Sequence, residues 1–174
     1  MTYRLSTKRA LALAVLVTTL NACTPIPIYT PPTDAIDRAH IRIDFQDQSI
    51  LSGVAVLHKV ESPIVCSQLM QGERMVVIKK GNPLITNQNP TGVHVVAGKR
   101  LTFSFVGLND GHPACRRAFS FVPEADKRYV LRASNDAAPF SSSQDCNVTL
   151  MLDISPDEAT TKVSTFQIEA CSQK

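Results

Sequence analysis

Five cysteines and four histidines are the side chains of this 174-residue chain best suited to chemistry, and their spacing decides which chemistry is open to them. Cys23, Cys66, Cys115, Cys146 and Cys171 include no C-x-x-C pair, and His40, His58, His94 and His112 include no pair at helical or local chelating spacing. Protein metal sites are commonly seeded by such a short-range pair, so neither a metal nor any other cofactor is expected. One stretch, Asn-Asp-Gly-His-Pro-Ala-Cys at 109–115, brings polar groups, a glycine and a cysteine together. Asn109, Asp110 and His112 there are a possible binding loop on a rigid scaffold. Asn-Asp-Gly is also an ordinary turn signal.

Nucleophilic chemistry lacks its usual frame. A serine hydrolase of the strained-elbow type needs Gly-x-Ser-x-Gly, which is absent, and the run Ser141, Ser142, Ser143 follows Ala-Ala-Pro-Phe as a solvated loop would. No Gly-rich phosphate loop or dinucleotide fingerprint occurs. The sequence therefore points to a non-catalytic protein.

The beginning of the chain carries the most specific pattern. Arg4, Lys8 and Arg9 precede an unbroken apolar run at 10–20, which ends in Leu20-Asn21-Ala22-Cys23. The run is too short for a membrane span, which takes roughly 20 residues, and fits the ~7–15 of a secretory h-region. The segment resembles the bacterial lipoprotein signal peptide, whose closing cysteine is acylated and becomes the first mature residue. That resemblance implies removal of residues 1–22 and lipidation of Cys23. With Thr24 in place of Asp after the cysteine, it also implies sorting to the outer membrane, facing the periplasm. The alternative is a secretory signal cut elsewhere, with Cys23 an ordinary thiol.

Removal of that segment changes the electrostatics. Arg4, Lys8 and Arg9 account for the whole excess of 18 basic over 15 acidic residues, so the net charge of +3 belongs to the signal. No nucleic-acid partner is implied by bulk charge. With Cys23 acylated, Cys66, Cys115, Cys146 and Cys171 remain as an even set in an exported chain, which implies two disulfides. Three connectivities are possible. The preferred pairs are Cys66 with Cys115, and Cys146 with Cys171 across a terminal hairpin, where a mismatch of faces would require a bulge.

The elements that must position these residues are short. Residues 24–38 contain Pro25, Pro27, Pro31 and Pro32 and read as an extended tether from the lipid. A docking peptide with Ile26, Ile28 and Tyr29 as anchors is the alternative. Period-two alternation begins at 41–45. Further strand patterns fall at 54–57, 75–79, 93–96, 101–108, 117–122, 129–133, 148–154 and 166–170, with Gly, Asn, Asp and Pro between them. One helix is suggested, with Ser62 as cap, Pro63 at the first position and Gly72 as stop. The basic doublets Lys79-Lys80, Lys99-Arg100, Arg116-Arg117 and Lys127-Arg128 fall at predicted strand ends, where solvated charge discourages edge pairing.

The pattern predicts an antiparallel β-sandwich of about seven to nine short strands with at most one short helix, a small β-barrel being the alternative. Its domain covers residues 39–174, after the signal at 1–22 and the tether at 23–38. From Cys115, the run CRRAFSFVPEADKRYVLRAS and the later CNVTLMLD resemble small disulfide-bonded β-sandwich lipoproteins of the bacterial envelope. VHVVAGKRLTFSF upstream fits the same type. The resemblance implies that the turn from Pro123 to Tyr129 closes a hairpin and that the tyrosine packs inward; it implies no activity. The function expected is that of a membrane-anchored, periplasm-facing lipoprotein that binds another envelope component without catalysis. Two alternatives are an accessory lipoprotein of a secretion system and a periplasmic inhibitor of lysozyme or a protease, the latter presenting the loop at 109–113.

Overall fold

Alternation along Ala39, His40, Ile41, Arg42 and Ile43 puts three apolar side chains on one face of a strand and two charged or titratable ones on the other. Repeated along the chain, this pattern closes two sheets over one apolar layer. The computed structural model describes residues 25–33, 37–46, 53–80, 84–109, 112–134, 147–153, 161 and 163–170. They contain β1 (Arg38–Gln46), β2 (Gly53–Val60), β3 (Glu73–Lys80), β4 (Val93–Val96), β5 (Leu101–Asn109), β6 (His112–Phe121), β7 (Arg128–Ser134), β8 (Asn147–Leu152) and β9 (Gln167–Glu169). A four-stranded sheet runs β4-β1-β7-β8 and a five-stranded sheet runs β3-β2-β5-β6-β9. The fold is a β-sandwich, and the described strands form no closed barrel. Each stretch read as a strand from the sequence contains one, though β6, β8 and β9 stop short of the ends read for them. The pairing of β1 with β7 is parallel, while the other strand pairs are antiparallel.

The layer between the sheets is filled from both sides. Ile41, Ile43, Val93, Val95, Tyr129, Leu131 and Leu150 meet Leu57, Met75, Phe103, Phe105, Phe119 and Phe121. Phe103 stacks between Phe119 and Phe121, with ring centroids 5.3 and 5.5 Å apart. Rings in this arrangement add to the stabilisation already supplied by burying their area.

The five-stranded sheet is also covered on its outer face. Ile64 and Leu69 of the crossover between β2 and β3 bury Ala118, and Ile85 packs on Val54, Val56 and Val77. His58 and Ser104 are sealed beneath, and the Ser104 hydroxyl donates to the Leu69 carbonyl. The helix read over 62–72 does not form. Only a 3₁₀ turn, Cys66–Gln68, is present, and the Ser62–Pro63 peptide is cis. Ile64 and Leu69 both reach the same patch of sheet, whereas positions five apart lie well round an α-helix from each other. Tertiary packing therefore overrides the helical signals.

Three further expectations are corrected. First, part of the tether is docked. Arg74 donates its amide to the Pro27 carbonyl at 2.8 Å, and Tyr29 donates to the Arg74 carbonyl at 3.0 Å, so residues 27–29 lie parallel along the free edge of β3. Tyr29 is buried in the core. Pro27 suits this place because it opens the paired stretch and contributes only its carbonyl to it. The other end of that edge is sealed by Gln88, which exchanges backbone hydrogen bonds with Val77.

Second, the Pro123 to Tyr129 turn closes no hairpin. It carries the chain from β6 in one sheet to β7 in the other, although Tyr129 does point inward and is fully buried. Third, the terminal hairpin is truncated. Leu152 donates to the Thr161 carbonyl and Val163 to that of Leu150, but the chain then crosses sheets and β9 pairs with β6. The basis for joining Cys146 to Cys171 across a hairpin is therefore lost.

Candidate functional site

The exposed face of the four-stranded sheet carries a row of four polar side chains, one from each strand or its end. His94 on β4 is opposite His40 on β1, and His40 is opposite Arg128 on β7. Asp153, just past β8, donates its amide to the Arg128 carbonyl at 2.8 Å. Period-two alternation turns His40 outward between the inward-facing Ala39 and Ile41, and His94 outward between Val93 and Val95, while strand pairing brings Arg128 and Asp153 into line with them.

At one end of the row, the Asp153 carboxylate accepts two hydrogen bonds from Arg42, at 3.1 and 3.3 Å. Arg128 stands 3.7 Å from the same carboxylate. The Arg42 hydrogen bond holds the Asp153 carboxyl below its usual pKa, with the nearby charges of Arg42 and Arg128 adding to the effect. At the other end, the rings of His40 and His94 meet edge to face with centroids 5.2 Å apart. Partial burial, then the neighbouring His94 and Arg128, lower the His40 pKa. His40 is therefore neutral at neutral pH, and its Nδ1 is buried with no hydrogen-bond partner.

Gly92 makes room for this ring. Its φ is +103°, and a Cβ there would lie 2.5 Å from the Ile41 carbonyl oxygen and 2.6 Å from His40 Cε1. Any other residue would be strained in its backbone and would push the imidazole out of place. Beside the histidines lies a cavity of about 560 Å³, lined by Arg38, His40, His94, Asp126, Lys127 and Arg128 together with Ala39. The turn that carries Asp126 and Lys127 is tied to β1, since Asp126 donates to the Arg38 carbonyl at 2.7 Å and His40 to that of Lys127 at 2.9 Å. The cavity is thus built on backbone hydrogen bonds rather than on a free loop.

The residues singled out from the sequence are distributed differently. Asn109 pairs with His112 at the end of the β5–β6 hairpin, in the five-stranded sheet rather than the sheet that carries this row, and Asp110 lies outside the described residues. Cys23, Cys146 and Cys171 also lie outside them, as does the whole signal segment. Cys115 is buried between the sheets, whereas Cys66 belongs to the crossover laid on the outer face of the five-stranded sheet. Among the basic doublets, Lys127-Arg128 reaches the cavity, while Arg116-Arg117 sits in the middle of β6 rather than at a strand end. His40 and His94 were legible as outward positions. Their pairing was not, because it depends on which strands become neighbours. Among the described residues, no three histidine, cysteine or acidic side chains are placed to hold a metal ion.

The chain matches no protein-family model, no curated protein and no solved structure.

Proposed function

We propose that the protein is a lipid-anchored lipoprotein of the outer membrane, facing the periplasm, whose sandwich binds another envelope component without catalysing a reaction. The observation that carries this reading is the N-terminal pattern: Arg4, Lys8 and Arg9, the apolar run at 10–20, and Leu20-Asn21-Ala22-Cys23. The docking of residues 27–29 gives the reading a shape. Only three residues lie between Cys23 and Pro27, and a fully extended chain gains at most ~3.6 Å per residue. The anchor would therefore hold the sandwich close to the bilayer instead of at the end of a long spacer. Ile26 and Ile28, 39% and 60% exposed, stand on that side of the domain.

Two disulfides belong to the same reading, and the disulfide-bonded state of Cys66 and Cys115 supports them. Because the five-stranded sheet separates the crossover of Cys66 from the buried Cys115, each is proposed to bond one of Cys146 and Cys171, in place of the Cys66–Cys115 pair suggested by the sequence. A pair on opposite faces of one sheet cannot meet the Cα separation of ~4.4–6.8 Å that a disulfide requires.

Mass spectrometry of the native product tests the anchor. The expected result is a mature end at Cys23 carrying acyl chains; an intact Met1, or a bare Cys23 sulfur, would overturn it. Cross-linking in intact envelopes, followed by identification of the captured species, tests the binding role. Peptide mapping without reduction is expected to link Cys66 and Cys115 to different cysteines.

A further inference from the structure

We infer that the cavity beside His40 and His94 binds a doubly charged oxyanion, a phosphate monoester or a sulfate, through Arg38, Lys127 and the two imidazoles. The inference goes beyond the lipoprotein reading and stands without it, since it uses only residues of the sandwich.

Charge balance is the first argument. The cavity is lined by three fixed cations, Arg38, Lys127 and Arg128, against one carboxylate, Asp126. Arg128 is partly committed to Asp153, which Arg42 already holds. Among the described residues, Arg38 and Lys127 make no ion pair. Cations gathered in one concavity repel each other, and an anion placed among them relieves that repulsion. A metal ion would meet the opposite: its two imidazole ligands are present, but the surrounding field is positive.

The second argument is the state of His40. It is neutral, partly buried and short of a hydrogen bond at Nδ1, which makes it an unsatisfied polar group in an ordered sheet. The groups facing it are His94 from β4, Arg38 and Arg42 from β1, Asp126 and Lys127 from the turn before β7, Arg128 from β7 and Asp153 beyond β8. Burial lowers the ring's pKa first, and the charges of His94 and Arg128 add to it. A dianion in the cavity reverses that balance and lets the ring protonate. Binding is then coupled to proton uptake, and affinity rises as pH falls.

The size of the cavity admits more than a bare ion. A phosphate monoester can be presented by a free metabolite or by a lipid or glycan headgroup, and the recognition chemistry is the same for these sources.

The test uses the full-length protein in detergent, titrated with sodium sulfate and with inorganic phosphate against sodium chloride of equal ionic strength. Imidazole resonances are followed by NMR. Sulfate keeps both charges across the range studied, so any pH dependence with it reports protonation of the protein. The expected result is saturable binding that raises the His40 pKa, displaces the resonances of both imidazoles and is up to about tenfold tighter at roughly pH 5.5 than at roughly pH 7.5. The double variant Arg38→Gln, Lys127→Gln is expected to weaken binding at least about tenfold, with an unchanged unfolding transition. Equal response to chloride, undiminished binding by the double variant, or binding of zinc in place of sulfate would each overturn the inference. Glycerol phosphate and vesicles containing phosphatidic acid then separate the sources. Competition by the soluble ester alone assigns a free ligand, and preferential retention on the vesicles assigns a headgroup. Because acylation of Cys23 is read separately by mass, the anion site and the lipid anchor can fail independently.

Discussion

The phenolic oxygen of Tyr129 accepts a hydrogen bond from the Glu124 amide at 2.9 Å, across the turn that takes the chain from one sheet to the other. The ring meets Phe121 edge to face, with centroids 5.0 Å apart, so one side chain fixes both ends of the crossing. Burial also raises the Tyr129 pKa, which keeps the hydroxyl neutral at any ordinary pH. Tyr129→Phe retains the packing and removes the acceptor. It is expected to cost about 1–2 kcal/mol in denaturant unfolding, and Tyr129→Ala about 3–5 kcal/mol.

His58 makes stability depend on pH. Burial beneath the crossover, with repulsion from Arg74, pushes its pKa from 6.5 down to about 4. The unfolded chain takes up a proton between these values and the folded one does not. Stability is therefore complete above about pH 6.5 and falls by roughly 3 kcal/mol as the pH drops to about 4. Nδ1 of His58 has no partner, so little bonding is lost when it is replaced. Unfolding midpoints of His58→Leu are expected to be nearly flat over that window. An unchanged slope would show that other groups cause it.

Tyr29 distinguishes a docked segment from a tether. It is 7% exposed, and Lys59 Nζ stands 5.5 Å from its ring centroid. Tyr29→Ala is expected to destabilise the sandwich by about 2–4 kcal/mol. A substitution in a free spacer would leave the unfolding midpoint where it was.

Asp153→Asn tests the polar row. The carboxylate is partly exposed, so the loss of its bonds to Arg42 is expected to cost less than about 1 kcal/mol. Its lowered pKa gives stability that is present at neutral pH and lost as the pH falls below the usual carboxylate range. Removing the charge also removes the one influence that raises the His40 pKa. NMR titration is expected to show His40 protonating at still lower pH in the variant.

Gly92→Ala addresses the same site from the backbone side. The substitution places a methyl group against the Ile41 carbonyl and the His40 ring at a positive φ. Its expected cost is about 1–3 kcal/mol, together with displaced His40 and His94 resonances. Unperturbed imidazole signals would show that Gly92 does not shape the cavity.

The strand positions were legible because alternation is a local property, and β4, for example, runs over the residues 93–96 read from the sequence. The helix at 62–72 was misread for the complementary reason. Its cap and stop residues are local signals, while the surface that claimed Ile64 and Leu69 is made by β6, brought alongside by folding. Tyr29 was misassigned through its prolines, which exclude a central strand but permit an edge. The site was visible only in fragments, as two histidines at outward positions and one basic doublet among four.

Composition and period-two patterning alone determined that this chain folds as β-sheet with one apolar face to each strand, and the N-terminal pattern alone suggests its anchor. The tertiary structure decided which strands are neighbours. Backbone hydrogen bonds pair any extended segments alike, so the choice rests on how side chains from distant parts of the chain fill the common core. That choice placed His40 beside His94, parted the two ends of the expected terminal hairpin, and drew the proline-rich lead segment onto the edge of β3.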